Sequence, residues 1–469
     1  SAACRESDGS AEGCRLKAEG LLLLAVDCGS TAVETVASLA AREIDVIILD
    51  HHQVSNPPPN AVALVNPQFV SSPEIGNRQP AIGNFHELCS VGLAFKLAHA
   101  ILKRGREINL PGTAEFDLRP LLDLVALGTI ADLVPLTGEN RILVSAGLER
   151  LNSTQRPGLV ALKKVAQCPP KIGAYEVGFQ LAPRLNAAGR LETAEESLHL
   201  ILSGDLAEAT RIAENLDLRN RERQKIEKTI VEEVVETIRA KFDSQNDFVI
   251  VEGQLLWHIG VVGIVASRVL QEFYRPTIII GGEGGEWRGS GRSILGFDLA
   301  AALRECTDLL TRHGGHAMAA GLSILPDNIG ALRQKLNKLA RRTLKPEQLQ
   351  APLRLDAEVG LDEIHFEMLD ELARLKPSGQ GNPGVQFCAR NLSHAKPLQR
   401  MGANKQHVKM WVNDGMATHE AVWWNGGESS LPVGKFDLAF APQINDFNGR
   451  STMQLKVLDW QPSGAAGAG

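Results

Sequence analysis

The stretch Leu21–Asp50, "LLLLAVDCGSTAVETVASLAAREIDVIILD", decides the fold. An apolar run climbs from Leu21 and ends at Asp27. Val33, Val36, Ala37 and Ala40 then recur at helical spacing. A second apolar run, Val46–Leu49, ends at Asp50. Strand, helix and strand over so short a span form a βαβ unit, whose strands must be parallel. Asp27 and Asp50 therefore fall at the carboxyl edge of one sheet, where open α/β sheets bind their ligands. His51 and His52 follow at once, before the chain turns through three prolines, Pro57–Pro59.

Carboxylates and imidazoles together suit Mn²⁺ and similar divalent ions. Two such ions can activate water and stabilise the leaving oxygen of a phosphoester. Asp132, in "ALGTIADLVPL", adds a further candidate in apolar surroundings, where an unpaired carboxylate is costly. Taken singly, Asp27 also reads as a helix cap and the histidines as loop residues. Taken as a set on successive strand ends, they favour a metal site.

The chain has 469 residues, enough for two to four domains. Hydrophobic residues make up 44% and charged residues 22%, a globular composition. No apolar run approaches the roughly 20 residues that span a bilayer, which argues against a membrane protein. The opening residues show no signal-peptide core, so a cytoplasmic location is expected. Seven scattered cysteines without a CxxC pair point to reduced thiols. A net charge of −6 does not itself suggest nucleic-acid binding, but a local basic groove is compatible with it.

The chain reads as α/β in four parts. Residues 1–204 open with the βαβ unit and turn helical. Residues 205–242 contain neither Gly nor Pro and read as a connecting helix, about 50 Å long if continuous. Residues 243–345 form a second α/β region, with "WRGSGRS" and "RHGGHAMAAG" as glycine-rich loops. Residues 352–462 carry short strands at turn-rich spacing, the pattern of a small β-barrel. Glycine-rich turns expose N–H groups that hold anions, which makes Ser290, Arg292, Ser293, Gly315 and His316 phosphate-binding candidates. Arg184, Asn186 and Arg190 cluster in "PRLNAAGR", which alone reads as an ordinary helix end. Trp411 beside Lys409 offers a face on which single strands stack. At least two of Trp411, Trp423 and Trp424 are expected in the barrel core.

The motifs "VDCG", "DHH", "GTIADLVPL", "LAPRLNAAGRL", "WHIGVVGIVASR", "GSGRS", "GGHAMAAG" and "SGQGNP" occur in this order. The series resembles the DHH phosphoesterase superfamily and, within it, the RecJ exonuclease family, from about Leu21 to Trp460. That resemblance implies a parallel-sheet DHH domain, a long connecting helix, an α/β DHHA1 domain and a C-terminal OB-fold. It implies 5′-to-3′ hydrolysis of single-stranded DNA with Mn²⁺ or Mg²⁺ in DNA repair and recombination. Asp27, His51 and Asp132 would be metal ligands, with Asp50 orienting the site and His52 beside the scissile phosphate. Arg190, Ser290, Arg292 and His316 would bind DNA phosphates. Single-stranded DNA is the implied partner, with a single-stranded-DNA-binding protein or a helicase beside it and the chain acting as a monomer. The resemblance also calls for an Asp-x-Asp-x-Asp-Gly motif on a strand well before Val26. Only 26 residues precede Asp27, and Glu6–Gly13 offers a single Asp-Gly pair. The expectation is that this motif is absent, that hydrolysis is impaired, and that a sheet edge lies open beside Leu21–Asp27. Binding of single strands without cleavage, and hydrolysis of small nucleotides, are the alternatives.

Overall fold

The computed structural model describes residues 20–69, 85–191, 193–282, 285–447 and 450–464. The first unit is a parallel sheet of β1 (Leu22–Val26), β2 (Asp45–Leu49) and β3 (Ala63–Val65), in that order, with helix α1 (Val33–Ala40) in the crossover between the first two. Val26 lies opposite Leu49, and Leu49 opposite Val65. The register therefore brings Asp27, Asp50 and Asn66, each the first residue after its strand, to one edge. The central strand β2 buries Val46, Ile48 and Leu49. Among the described residues β1 is an edge strand, and its Leu22 and Leu24 are 60% and 46% exposed.

A helical layer follows: α2 (Ser90–Glu107), α3 (Leu122–Ala131), α4 (Gly138–Asn152), α5 (Pro157–Val165), the single turn α6 (Ala174–Glu176), α7 (Ala182–Leu191) and α8 (Glu195–Leu202). The 34-residue helix α9 (Leu206–Arg239) starts at Asp205, whose carboxylate accepts from the Glu208 N–H. Such a cap satisfies one of the open N–H groups at the helix start. The first half of α9 buries Ala209, Ile212, Ala213 and Leu216 against the helical layer. Its second half buries Ile230, Val234 and Ile238 against Trp257 and Val265 of the next unit. One helix thus contributes to both cores and ties the two units together.

The central unit comprises β4 (Ile250–Leu255), α10 (Val262–Phe273), β5 (Thr277–Gly282), β6 (Trp287–Arg292), α11 (Leu299–Arg304), β7 (Leu310–Gly315), β8 (Ala319–Ile324) and α12 (Ile329–Thr343). Its five strands run in the order β4-β5-β6-β8-β7, and only the first pair is parallel. This corrects the sequence reading of "WRGSGRS" as a loop, for it forms β6 and pairs on both sides. "RHGGHAMAAG" is likewise a hairpin, with only its tip outside the strands. The glycines of β6 serve close packing. A Cβ on Gly291 would come within 2.5 Å of the Leu299 side chain, and one on Gly289 within 2.9 Å of Ile280.

The last unit carries β9 (Ala357–Glu358), α13 (Phe366–Ala373), β10 (Phe387–Met401), β11 (His407–Asn413), β12 (Thr418–Trp423), β13 (Phe436–Phe447) and β14 (Arg450–Pro462). Strands pair in the order β10-β11-β12-β14-β13, and β13 returns to β10, which closes a five-stranded barrel. Phe436, Phe440, Val408, Met410 and Leu455 fill it. Fewer tryptophans meet the core than expected: Trp423 is half-buried and packs against it, while Trp411 is half-buried outside it and Trp424 is 47% exposed. Alternation explains Trp411, since Met410 and Val412 point inward and the Trp411 ring must point out.

Candidate active site

Asp27 leaves β1 in the left-handed region, with φ of 66°, and its N–H donates to Leu49 O at 2.9 Å. Gly29, with φ of 111°, then turns the chain back over Ile48, whose side chain lies 3.2 Å from where a Cβ would stand. That turn delivers the Ser30 N–H to Asp50 Oδ2 at 3.1 Å.

Asp50 is 1% exposed and organises the edge. Its Oδ1 accepts from the backbone N–H of His51 at 2.8 Å and of His52 at 3.2 Å, and meets His52 Nδ1 at 2.7 Å. Burial pushes the Asp50 pKa up, yet the hydrogen bonds from Ser30 and His52 prevail and hold it well below the usual carboxylate range. An ionised carboxylate only accepts, so His52 Nδ1 carries the proton and Nε2 is left for other partners. Burial alone would lower the His52 pKa, but Asp50, then Asp27 and Asp132, raise it.

His51 differs. Its Nε2 is buried, 3.4 Å from Asp27 Oδ1 and 3.3 Å from Asp132 Oδ2, and makes no hydrogen bond among the described residues. Asp132 caps the C-terminus of α3, its N–H donating to Gly128 O at 2.9 Å. Burial raises the Asp132 pKa, His51 opposes this and Asp27 adds to it. The ligand atoms of Asp27, His51 and His52 lie within 4.8 Å of one another. An imidazole nitrogen without a hydrogen bond between two carboxylates is a donor set that fits a divalent ion such as Mn²⁺ or Mg²⁺.

A cavity of about 790 Å³ opens beside this edge, lined by His51, His52, Ser55, Gln68, Phe69 and, from the central unit, His316. Gly315 projects His316. Its φ is 133°, and a Cβ there would come within 2.5 Å of Ala319 O. The His316 N–H donates to that same oxygen at 2.8 Å. Arg292 sits opposite Ala319 on β6, and its Nη1 donates to Ser290 Oγ at 3.0 Å and to Gly291 O at 2.8 Å. The first turn of α10 approaches this pair, since a Cβ on Gly263 would lie 3.0 Å from Ser290 Oγ.

Other candidates fall elsewhere. Ser293 is buried and its hydroxyl donates to Phe297 O at 2.7 Å, so it closes a turn instead of facing the cavity. Arg184 points at α9, donating to Asp217 Oδ1 at 2.8 Å and to Gln180 O at 2.6 Å. Arg184→Ala should therefore act on stability. Asp217 keeps Arg221 at 2.7 Å, so the cost should be about 2 kcal/mol in a urea titration, with single-strand affinity unchanged. Asn186 is exposed on α7. The Arg190 side chain and the Glu6–Gly13 stretch lie outside the described residues. Trp411 and Lys409 meet on the barrel, joined by Lys396, which the sequence reading missed. The two Nζ atoms lie 5.3 Å (Lys409) and 5.1 Å (Lys396) from the ring centroid.

Asn66 was also missed. It is 8% exposed and its Nδ2 donates to Ser30 Oγ and to His52 O, each at 2.8 Å. The signal was present, because "VALVN" is a third apolar run closed by a polar residue. Among the described residues five cysteines are free thiols, and no helix is long and apolar enough to cross a membrane.

Comparison with known proteins gives the class first. Residues 10–129 match the DHH family N-terminal domain, residues 246–342 the DHHA1 domain and residues 355–459 the RecJ OB domain. The chain is 38% identical over 444 residues to the single-stranded-DNA-specific exonuclease RecJ of Bacillus subtilis, an alignment covering 93% of this chain and 53% of that protein. It is 34% identical over 468 residues to the RecJ exonuclease of Escherichia coli, covering 93% of this chain and 76% of that one. The crystal structure of RecJ in complex with Mn²⁺ from Thermus thermophilus superposes with a TM-score of 0.78 at 30% identity, over 95% of this chain and 62% of that one. The chain belongs to the RecJ family of single-stranded-DNA-specific exonucleases. It spans about half the length of the Bacillus relative and three-quarters of the Escherichia one.

Proposed function

We propose that this chain hydrolyses the phosphodiester bonds of single-stranded DNA, working from the 5′ end, at the edge formed by Asp27, Asp50, His51, His52 and Asp132. The observation that carries this is His51 Nε2, buried between two carboxylates without a hydrogen bond, at the wall of a cavity that also reaches His316. Asp27, His51 and Asp132 would hold a divalent ion, Mn²⁺ or Mg²⁺. When bound, such an ion supplies Lewis-acid stabilisation and lowers the pKa of water. These three would serve one ion; a second would draw on further residues, and where those are lacking hydrolysis would be impaired.

The chain's own groups do the rest. Asp50 fixes both histidines and holds the proton on His52 Nδ1. His52, whose raised pKa favours the imidazolium with a second proton on Nε2, would donate from Nε2 to an oxygen of the scissile phosphate as charge builds there. His316 would receive a flanking phosphate from the opposite wall, with Ser290 and Arg292 on β6, Arg292 nearest the 5′ end, and Arg190 and Asn186 on α7 as further contacts. Arginine suits a terminal phosphate because its fork binds two oxygens at once. The Trp411 face of the barrel would hold the strand beyond the site.

The test is 5′-phosphorylated single-stranded DNA with Mn²⁺. Mononucleotides should leave from the 5′ end, and EDTA should stop the reaction while the DNA stays bound. Binding without cleavage in Mn²⁺ would mark a binding module instead. Cleavage of dinucleotides alone would mark a small-nucleotide phosphodiesterase.

Asp50→Asn keeps the shape but removes the charge and presents a donor where N–H groups now point. Single-turnover cleavage should fall about 10- to 100-fold, as for other groups that orient metal ligands. DNA affinity in EDTA should stay within about twofold.

A further inference from the structure

The motif "SGQGNP", Ser378–Pro383, has no part in the chemistry above, yet it touches the segment that follows Asp132. Leu136 N–H donates to Gln380 O at 2.7 Å, across more than 200 residues of chain. Leu136 is 2% exposed. A Cβ on Gly379 would lie 2.7 Å from Leu136 Cδ1. One on Gly381 would lie 2.9 Å from the ring of Pro135 and 3.3 Å from Thr137 Cγ2. Gly381 also has φ of 72°, a conformation that side chains disfavour.

The loop is built to keep its shape. Gly379 N–H donates to Asn382 O at 2.8 Å and Asn382 N–H returns to Gly379 O at 3.1 Å. Asn382 Nδ2 adds bonds to Leu375 O at 3.0 Å and Pro377 O at 2.9 Å. Arg141 reaches across from α4 to Arg374 O at 3.0 Å. From the other side the fully buried Asn140 donates to Pro135 O at 2.9 Å and to Glu87 O at 2.6 Å. Residues 135–137 are thus gripped between the N-terminal unit and a stapled loop of the C-terminal unit. Asp132 stands one tight turn away, through Leu133, whose φ is 60°.

We infer that the Gly379–Gly381 loop is a positioning element for Asp132, so that docking of the C-terminal unit sets the metal affinity of a site in the N-terminal unit. The inference rests on the metal role given to Asp132 above. Shifting a carboxylate ligand by a fraction of an ångström weakens a metal site even when no ligand is lost, because ligand geometry is held by the groups behind it.

Mn²⁺ calorimetry on the full chain tests this without any need for catalysis. Gly381→Ala should weaken Mn²⁺ binding about 10-fold. Gly384→Ala, on the same loop but with nothing within 4 Å of its Cβ, should leave it unchanged. Arg141→Ala adds no atom and removes one clamp bond, so it should weaken Mn²⁺ binding about threefold even where Gly381→Ala fails to fold. Single-strand affinity in EDTA should not move in any of the three. Mn²⁺ affinities of Gly381→Ala and Arg141→Ala equal to the parent would overturn the inference and leave the metal site standing. A parent chain that takes up no Mn²⁺ would overturn both.

Discussion

His51→Ala should lower Mn²⁺-dependent cleavage of 5′-phosphorylated single-stranded DNA by at least about 10³-fold, roughly 4 kcal/mol of transition-state stabilisation. The size follows from what Nε2 does. Among the described residues it makes no hydrogen bond and faces two carboxylate oxygens at 3.4 and 3.3 Å, so its removal breaks no hydrogen bond there and gives up only these charge contacts and the ring contact with His52. A histidine kept for packing would lose stability on truncation and leave chemistry alone. One kept as a ligand does the reverse. His51→Gln, which retains much of the volume, should therefore keep its melting temperature within a few degrees, about 1 kcal/mol or less. Calorimetry should show weakened Mn²⁺ uptake in both variants, while DNA affinity in EDTA holds. Near-parental cleavage rates in His51→Ala would remove Nε2 from the site and, with it, the proposed ligand set.

How far this site could be read from the sequence depended on whether its determinants are local. Asp27 and Asp50 were legible because each closes an apolar run, and one crossover helix forces the strands parallel. Asp132 followed from its surroundings. Asn66 closes the run Val62–Val65 in the same way, but its amide is not one of the carboxylates that marked Asp27 and Asp50 as candidate ligands, although its place at the edge is the same in kind. The glycines of β6 misled for a different reason. Glycine in sequence signals a turn, but Gly289 and Gly291 are small because Ile280 and Leu299 occupy the space of their absent side chains. Arg184 stood in the sequence only beside Asn186 and Arg190, because Asp217, its partner 33 residues on, becomes a neighbour only when α7 packs on α9. The fold class rested on periodicity and strand order, which short windows carry. The partners of individual polar groups rested on packing, which they do not.

Trp411→Ala should weaken single-strand binding in EDTA by about 5- to 150-fold, the loss of one stacked base at roughly 1–3 kcal/mol. The ring stands on the outer face of β11, between inward-facing Met410 and Val412, so replacing it leaves the barrel core intact. Lys396 on β10 and Lys409 on β11 hold their ammonium groups 5.1 and 5.3 Å from its centroid. An aromatic face edged by cations can stack a base and neutralise the phosphate beside it. The two lysines are not equivalent. Lys409 is paired with Glu420 at 2.6 Å, so part of its charge is already answered. Lys396→Ala should thus cost more affinity than Lys409→Ala and should lower the salt slope of log K by about 0.7, the value for one phosphate on a single strand. Trp411→Phe, which keeps a smaller ring, should recover part of the loss. The measurement is fluorescence anisotropy of a labelled oligonucleotide across a salt series. Equal affinities for Trp411→Ala and the parent would mean that the strand leaves the cavity by another face. Cleavage per bound molecule should be unchanged in Trp411→Ala, because the ring lies on the barrel and not among the groups that line the cavity beside His51 and His52.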